Sequence, residues 1–136
     1  MIQSAHAILL YRGGYVLQLR DNLPTISAAG QWSLFGGRVE EGEAPAATVL
    51  REVQEELSIT PPSYRFLWSS YHHAEFEQAV IRMWFFEARV DEVWDVHRLT
   101  EGQAVQAFSF EQLDGLSMPG VIRETLQRYH LTRPGG

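Results

Sequence analysis

The 136-residue chain contains no cysteine. Disulfides and thiolate metal sites are thereby excluded. The absence is compatible with a reducing cytoplasm, the expected location. Long apolar runs are also missing. "AHAILLY" (5–11) is too short to span a bilayer and is stopped by Arg12 and two glycines, so neither a membrane segment nor a targeting signal is read. No repeat or low-complexity tract is present, and only "TRPGG" (132–136) reads as a frayed end. Net positive charge is lacking too: the formal charge is −6. That argues against a broad surface gripping a nucleic-acid polymer. A phosphate substrate would need an attractant other than net charge, and a cation held by the acids is one candidate. Length fits one domain over 1–136, enough to bury most of its apolar surface without a staple, as monomer or homodimer.

What is present is periodic. Residues 5–11 are β-prone, Arg12-Gly13-Gly14 is turn-like, and 15–20 alternate as "YVLQLR", which predicts strand, tight turn and strand. A loop with Pro24 and Gly30 spans 21–31, and "WSLFGG" is a short apolar stretch ending in glycines. Ala44 to Leu57 predicts the clearest helix. Pro45 suits a first turn, and Ala46, Val49 or Leu50, Val53 and Leu57 make an apolar stripe. Glu43 meets the positive end of the helix dipole. Ser58 and Thr60-Pro61-Pro62 stop the helix. Residues 64–73 and 79–90 flank "AEFEQ" and predict a long hairpin. A loop (91–103), a strand (104–110) and a closing helix (118–130) follow, the helix burying Val121, Ile122, Leu126 and Tyr129. The order predicts an α/β fold, a mixed sheet with helices packed on its faces.

Six of the seventeen acids crowd into two short stretches, "FGGRVEEGE" (35–43) and "LREVQEELSI" (50–59). On a helix Glu52, Glu55 and Glu56 are neighbours at i, i+3 and i+4, roughly opposite Leu50, Val53 and Leu57. Like pairs at this spacing destabilise a helix by a few tenths of a kcal/mol each. One reading is a solvated acidic face with Arg51 pairing Glu55. The nearby Gly36 and Gly37 offer another: they permit a turn closed to other residues and let a carbonyl approach a ligand. A carbonyl plus carboxylates is an all-oxygen site, suited to Mg²⁺ or Mn²⁺ and not to zinc or copper.

From Gly37 the chain reads Gly, five residues, Glu43, seven residues, Arg51-Glu52, Val53, one residue, Glu55-Glu56, one residue, Ser58, Ile59. This resembles the Nudix box. The one departure is Ser58 where the family has Gly. A serine in the left-handed turn expected there costs roughly 1 kcal/mol but touches no metal role. The order of elements likewise resembles the Nudix α/β/α sandwich, a mixed β-sheet between helices. The resemblance implies hydrolysis of a nucleoside diphosphate-linked compound. A (deoxy)nucleoside triphosphate cut to monophosphate and pyrophosphate is the first expectation, since the chain has little room for an added specificity domain. Glu52, Glu55 and Glu56 would hold Mg²⁺ or Mn²⁺ with the Gly36 or Gly37 carbonyl, and Glu43 and Arg51 would orient them. Metal ions would neutralise the phosphate oxygens and lower the pKa of a bound water. Glu52, with Glu55 as alternative, would take the water's proton. Glu101-Gly102-Gln103 is similar to a motif some family members carry before the last strand, which implies Glu101 as a further ligand or base. The alternative is a solvated loop acid.

Substrate contacts are less constrained. Trp32 and Phe35 could stack on a base, although aromatics beside a sheet usually belong to the core. Arg20 and Arg82 could meet phosphates, while His72 and His73 read as solvated. "GLSMPG" (115–120) lacks the Asn that some oxidised-purine hydrolases use, which counts against oxidised guanine nucleotides. Two rival readings stand: a Nudix fold that binds a nucleotide without cleaving it, and an acidic helix face contacting a basic partner. The complete Arg-Glu…Glu-Glu set speaks against the first. The second predicts no effect of Mg²⁺ on melting temperature.

Overall fold

Alternation along one strand organises the molecule. In Ile2–Tyr11, Ala5, Ala7 and Leu9 join one core cluster while Ile8 and Leu10 join another. Successive side chains of a strand point to opposite faces, so this strand is buried on both sides. The computed structural model describes residues 1–133. Its elements in chain order are β1 (Ile2–Tyr11), β2 (Gly14–Leu19), β3 (Trp32–Ser33), β4 (Phe35–Arg38), α1 (Pro45–Leu57), β5 (Arg65–Ala74), β6 (Ala79–Arg89), β7 (Ala104–Phe108) and α2 (Gly120–Thr132), with 3₁₀ turns at Trp94–Val96 and Glu111–Gly115.

β6 runs parallel to β1 from Ile2↔Ile81 to Leu10↔Arg89, and β5 pairs antiparallel with the outer edge of β6. The other edge of β1 is shared. Leu9–Tyr11 pair with β2, while Ser4–Ala7 pair with β4. β2 pairs with β1 only over Gly14–Val16, and its Gln18 and Leu19 pair with β3. The β1–β2 hairpin therefore opens into a fork, with β3–β4 wedged between the prongs. β7 lines the far side of β2. At the closed end of the fork Arg12 (φ 49°) and Gly13 (φ 78°) are both left-handed, the geometry that matches strand twist in a two-residue hairpin loop.

The helices cover opposite faces. Val49, Val53 and Leu57 of α1 are fully buried with Ala5, Ala7, Leu9 and Phe35, and Ile122, Leu126 and Tyr129 of α2 pack with Ile8, Leu10, Tyr15 and Leu17. Burying each such aliphatic side chain contributes about 2 kcal/mol. Three expectations are corrected. The stripe of α1 uses Val49, since Leu50 is 49% exposed and Ala46 also faces solvent. The glutamates do not all lie opposite that stripe, because Glu56 is buried beside it. Gly36 and Gly37 form no turn: they lie within β4, paired with His6 and Ala5.

Ser58 does adopt the left-handed conformation (φ 58°), its N–H donating to the Gln54 carbonyl at 2.9 Å. Thr132 is still helical; the rest of the expected frayed end lies, except for Arg133, outside the described residues. No helix among the described residues is long and apolar enough to cross a membrane.

Candidate active site

The two glycines of β4 are small for different reasons. A Cβ on Gly36 (φ 153°) would stand 2.2 Å from the Ala5 carbonyl oxygen. A Cβ on Gly37 would stand 2.5 Å from the carboxyl carbon of Glu52. Gly36 thus lets β4 lie against β1, and Gly37 lets the Glu52 carboxylate rest on the main chain.

Arg51 gathers the acids at the start of α1. Its Nε and Nη2 donate to the two carboxylate oxygens of Glu43 at 2.8 and 2.9 Å, a two-pronged pair. Nη2 also donates to the Arg38 carbonyl at 3.2 Å, and Nη1 to Glu52 Oε1 at 2.9 Å. Its contact with Glu55 is long, 3.5 Å. Glu43 Oε1 further accepts from the Thr48 hydroxyl at 2.7 Å and the Glu40 N–H at 3.1 Å. The Arg51 hydrogen bonds first, then Thr48 and the Glu40 N–H, hold the Glu43 carboxyl down at about 2. One arginine thereby fastens the loop 38–43 to the helix.

One turn further on, positive charge runs out. Glu56 is 4% exposed. Among the described residues its oxygens accept only the Gln18 side-chain amide at 3.1 Å and the Gly36 N–H at 3.3 Å. Gln18 reaches it because the fork leaves that part of β2 facing the wedge, where the same amide also donates to the Leu34 carbonyl. Burial, opposed by the Gln18 bond, and the negative charges of Glu52 and Glu101 push the Glu56 carboxyl up to about 8. Burial likewise raises Glu52, with Arg51 opposing.

Glu101 arrives by a strap. Arg98 N–H donates to the Leu57 carbonyl at 2.8 Å, Thr100 N–H to the Glu56 carbonyl at 3.0 Å, and the Thr100 hydroxyl to the Glu55 carbonyl. These bonds satisfy carbonyls that a helix end leaves without partners. Gln103 N–H then bonds the Leu19 carbonyl and its side chain the Arg20 carbonyl, both at 2.8 Å. Glu101 is held between α1 and β2, close enough for its charge to act on Glu52 and Glu56.

Among the described residues no three acidic or histidine side chains converge as a ligand cluster. The chemistry of the donor set nevertheless fits a hard divalent cation: every donor is oxygen, like charges are crowded, and the buried Glu56 has no cationic partner among the described residues.

The other candidates divide. Arg20 lies at the end of β2 beside the strap, its Nε held by the Ser27 carbonyl at 2.9 Å. Trp32 is half-buried on the α2 side, edge-on to Phe108 at 4.9 Å. Phe35 is fully buried in the α1-side core and offers no face to a base. Arg82 does not join the site: it stacks over Trp84 at 4.0 Å and donates to the Ser69 hydroxyl. Residues not anticipated are Gln18, Thr48 and Thr100, together with His6, whose ring is desolvated beneath Gly36 and, with Arg20 nearby, lowered to about 4. A glutamine inside an apolar strand was the available signal for Gln18; the threonines gave none.

The NUDIX domain profile matches residues 1–129. An 8-oxo-dGTP diphosphatase of Escherichia coli K12 is 41% identical over 51 residues, a match spanning 38% of this chain and 38% of that protein. Among solved structures, the MutT protein of Methanosarcina mazei Go1 superposes with a TM-score of 0.80 at 24% identity, covering 96% of this chain and 93% of that one. The E. coli ORF135 protein gives 0.76 at 23% identity, over 100% and 95%. The NUDIX domain of Shewanella oneidensis NrtR complexed with ADP ribose gives 0.77 at 18% identity, over 97% and 89%. At such identities these structures establish the fold.

Proposed function

Because this chain belongs to the Nudix hydrolase family, we propose that it cleaves a nucleoside or deoxynucleoside triphosphate to monophosphate and pyrophosphate, with Mg²⁺ or Mn²⁺ held by Glu52, Glu55, Glu56 and Glu101 and a carbonyl of Gly36 or Gly37. The observation that carries the reading is the distribution of charge: Arg51 spends two prongs on Glu43 and one on Glu52, and among the described residues the buried Glu56 has only amide donors. A divalent ion there would offset the phosphate charge and acidify a water.

The chain's own residues do the rest. Arg51 holds Glu52 by Oε1 and leaves Oε2, without a hydrogen bond among the described residues, to take the proton of the attacking water. Glu55, exposed and loosely held, is the alternative base. Gly37 fixes how close Glu52 lies to the main chain. The strap brings Glu101 to the same place. Arg20 and Trp32 remain the contacts for phosphate and base. The relative that matches over 51 residues is named for an oxidised guanine nucleotide. That substrate belongs in the panel, although this chain lacks an Asn in 115–120.

The test is a set of nucleotides incubated with Mg²⁺ and read by product mass, with Glu55→Gln alongside. Wild-type turnover by that variant would overturn the metal assignment. A second reading, binding without cleavage, takes its support from the NrtR domain complexed with ADP ribose. Tight nucleotide binding with no product after long incubation would select it.

A further inference from the structure

A cleft of about 880 Å³ opens on the α2 face of the sheet, at the end remote from the glutamates. Its walls include Leu10 and Gly13 at the closed end of the fork. Glu52 instead rests at Gly37, opposite Ala5. Five residues of strand separate Ala5 from Leu10, about 16 Å. The volume is that of a small-molecule site.

The charge around the cleft is unusual for this chain. Four of its eleven basic residues line it, Arg12, Arg65, Arg89 and Arg133. Three acids line it as well: Glu87, Asp91 and Glu92. Glu87 is already engaged, by Arg65 and by the Tyr129 hydroxyl, which donates to it. Asp91 Oδ1 accepts the main-chain N–H of Arg12 at 2.6 Å, and the Arg12 guanidinium lies over the Tyr11 ring at 5.1 Å without an ion pair among the described residues. Arg12, Arg89 and Arg133 enter no ion pair among the described residues. Three guanidiniums without an ion pair among the described residues, of which Arg12 and Arg133 lie over the rings of Tyr11 and Tyr15, thus face two carboxylates without a cationic partner, Asp91 and Glu92, against a wall made apolar by Leu10, Pro62 and Ala88. Guanidinium groups bind phosphate oxygens in pairs, and the apolar wall suits the organic part of an ester.

We propose that this cleft is a second binding site, for a small organic phosphate or pyrophosphate, formed by Arg12, Arg89 and Arg133 and needing no metal. It stands apart from the catalytic reading, because the glutamate site without a cation repels the same ligands.

The probe is inorganic pyrophosphate, titrated in EDTA and followed by amide NMR shifts and calorimetry. Saturable binding with shifts at Gly13, Ser63 and Asp91 is expected. Arg12→Asn with Arg89→Gln should weaken it about tenfold or more, since each loses a charge-assisted bond. Asn tolerates the left-handed backbone at position 12. Glu52→Gln should leave the affinity unchanged. No binding at millimolar pyrophosphate, shifts centred on Gly37 and Glu101, or equal affinity in the arginine pair would each overturn the proposal. If the double variant does not fold, the wild-type shift map alone decides.

Discussion

Glu43 and Glu56 stand at opposite ends of one acidic segment, one held at about 2 and the other pushed up to about 8. The same side chain is made a strong acid in one place and a weak one in the other. Around Glu43 the fold supplies a two-pronged arginine, a hydroxyl and a main-chain N–H. Around Glu56 it supplies two neutral amides and two like charges. The cationic donor thus goes chiefly to the carboxylate that shapes the loop, with one prong to Glu52, and Glu56 beside the wedge is left short of positive charge. A cation from solution would bind where the protein provides none.

The comparison can be broken most severely at Glu52. Glu52→Gln should lower kcat by about 10² to 10⁴, the range of a lost general base, at saturating Mg²⁺. A near-wild-type rate would shift the base to Glu55. Glu43→Gln attacks the well-supplied end. It should cost about 10- to 100-fold in activity or metal affinity, read as a raised half-saturation for Mg²⁺. The same variant sharpens the electrostatic contrast. Because the folded value of Glu43 lies below that of a free carboxyl, its pairing contributes stability above the ordinary 4.5, lost as pH falls toward about 2. Glu43→Gln should flatten that acid limb of the melting curve.

At the starved end the sign reverses. The Glu56 carboxyl sits above its ordinary value, so the metal-free protein should lose stability as pH rises from 4.5 to about 8. In EDTA at pH 8, Glu56→Gln should raise Tm and remove that slope. It should also shrink the rise in Tm on adding Mg²⁺. A lowered Tm in EDTA would show that the charge is compensated after all. The smallest effect is expected at Ser58→Gly, which relieves the left-handed serine by about 1 kcal/mol with kcat unchanged.

Much of this was legible in the sequence, because local spacing carries it. Arg51, Glu52, Glu55 and Glu56 are fixed relative to one another by a helix, Glu43 lies just before it, and the two long hairpin strands announce themselves by composition. What was not legible depends on strands meeting. Val49 or Leu50 could complete the stripe equally well on spacing, and only the packing of α1 against β1 chooses Val49. Phe35 looked like a stacking residue until β4 paired with β1 and sent its ring under α1. Arg82 is drawn off by Trp84, a neighbour two residues along its own strand. Gln18 meets Glu56 only because the hairpin forks, a tertiary event with no signature in "YVLQLR". Thr100 acts across 44 residues of chain on a helix carbonyl.

The adjacent glycines of β4 would separate cleanly in a saturation library. At position 36 the obstacle is a main-chain oxygen of the neighbouring strand, so selection for soluble protein should already return glycine. At position 37 the obstacle is the movable tip of Glu52, so selection for solubility should admit alanine or serine, and selection for turnover should reject them. Two identical letters side by side would thus be kept by different pressures, one on folding and one on catalysis.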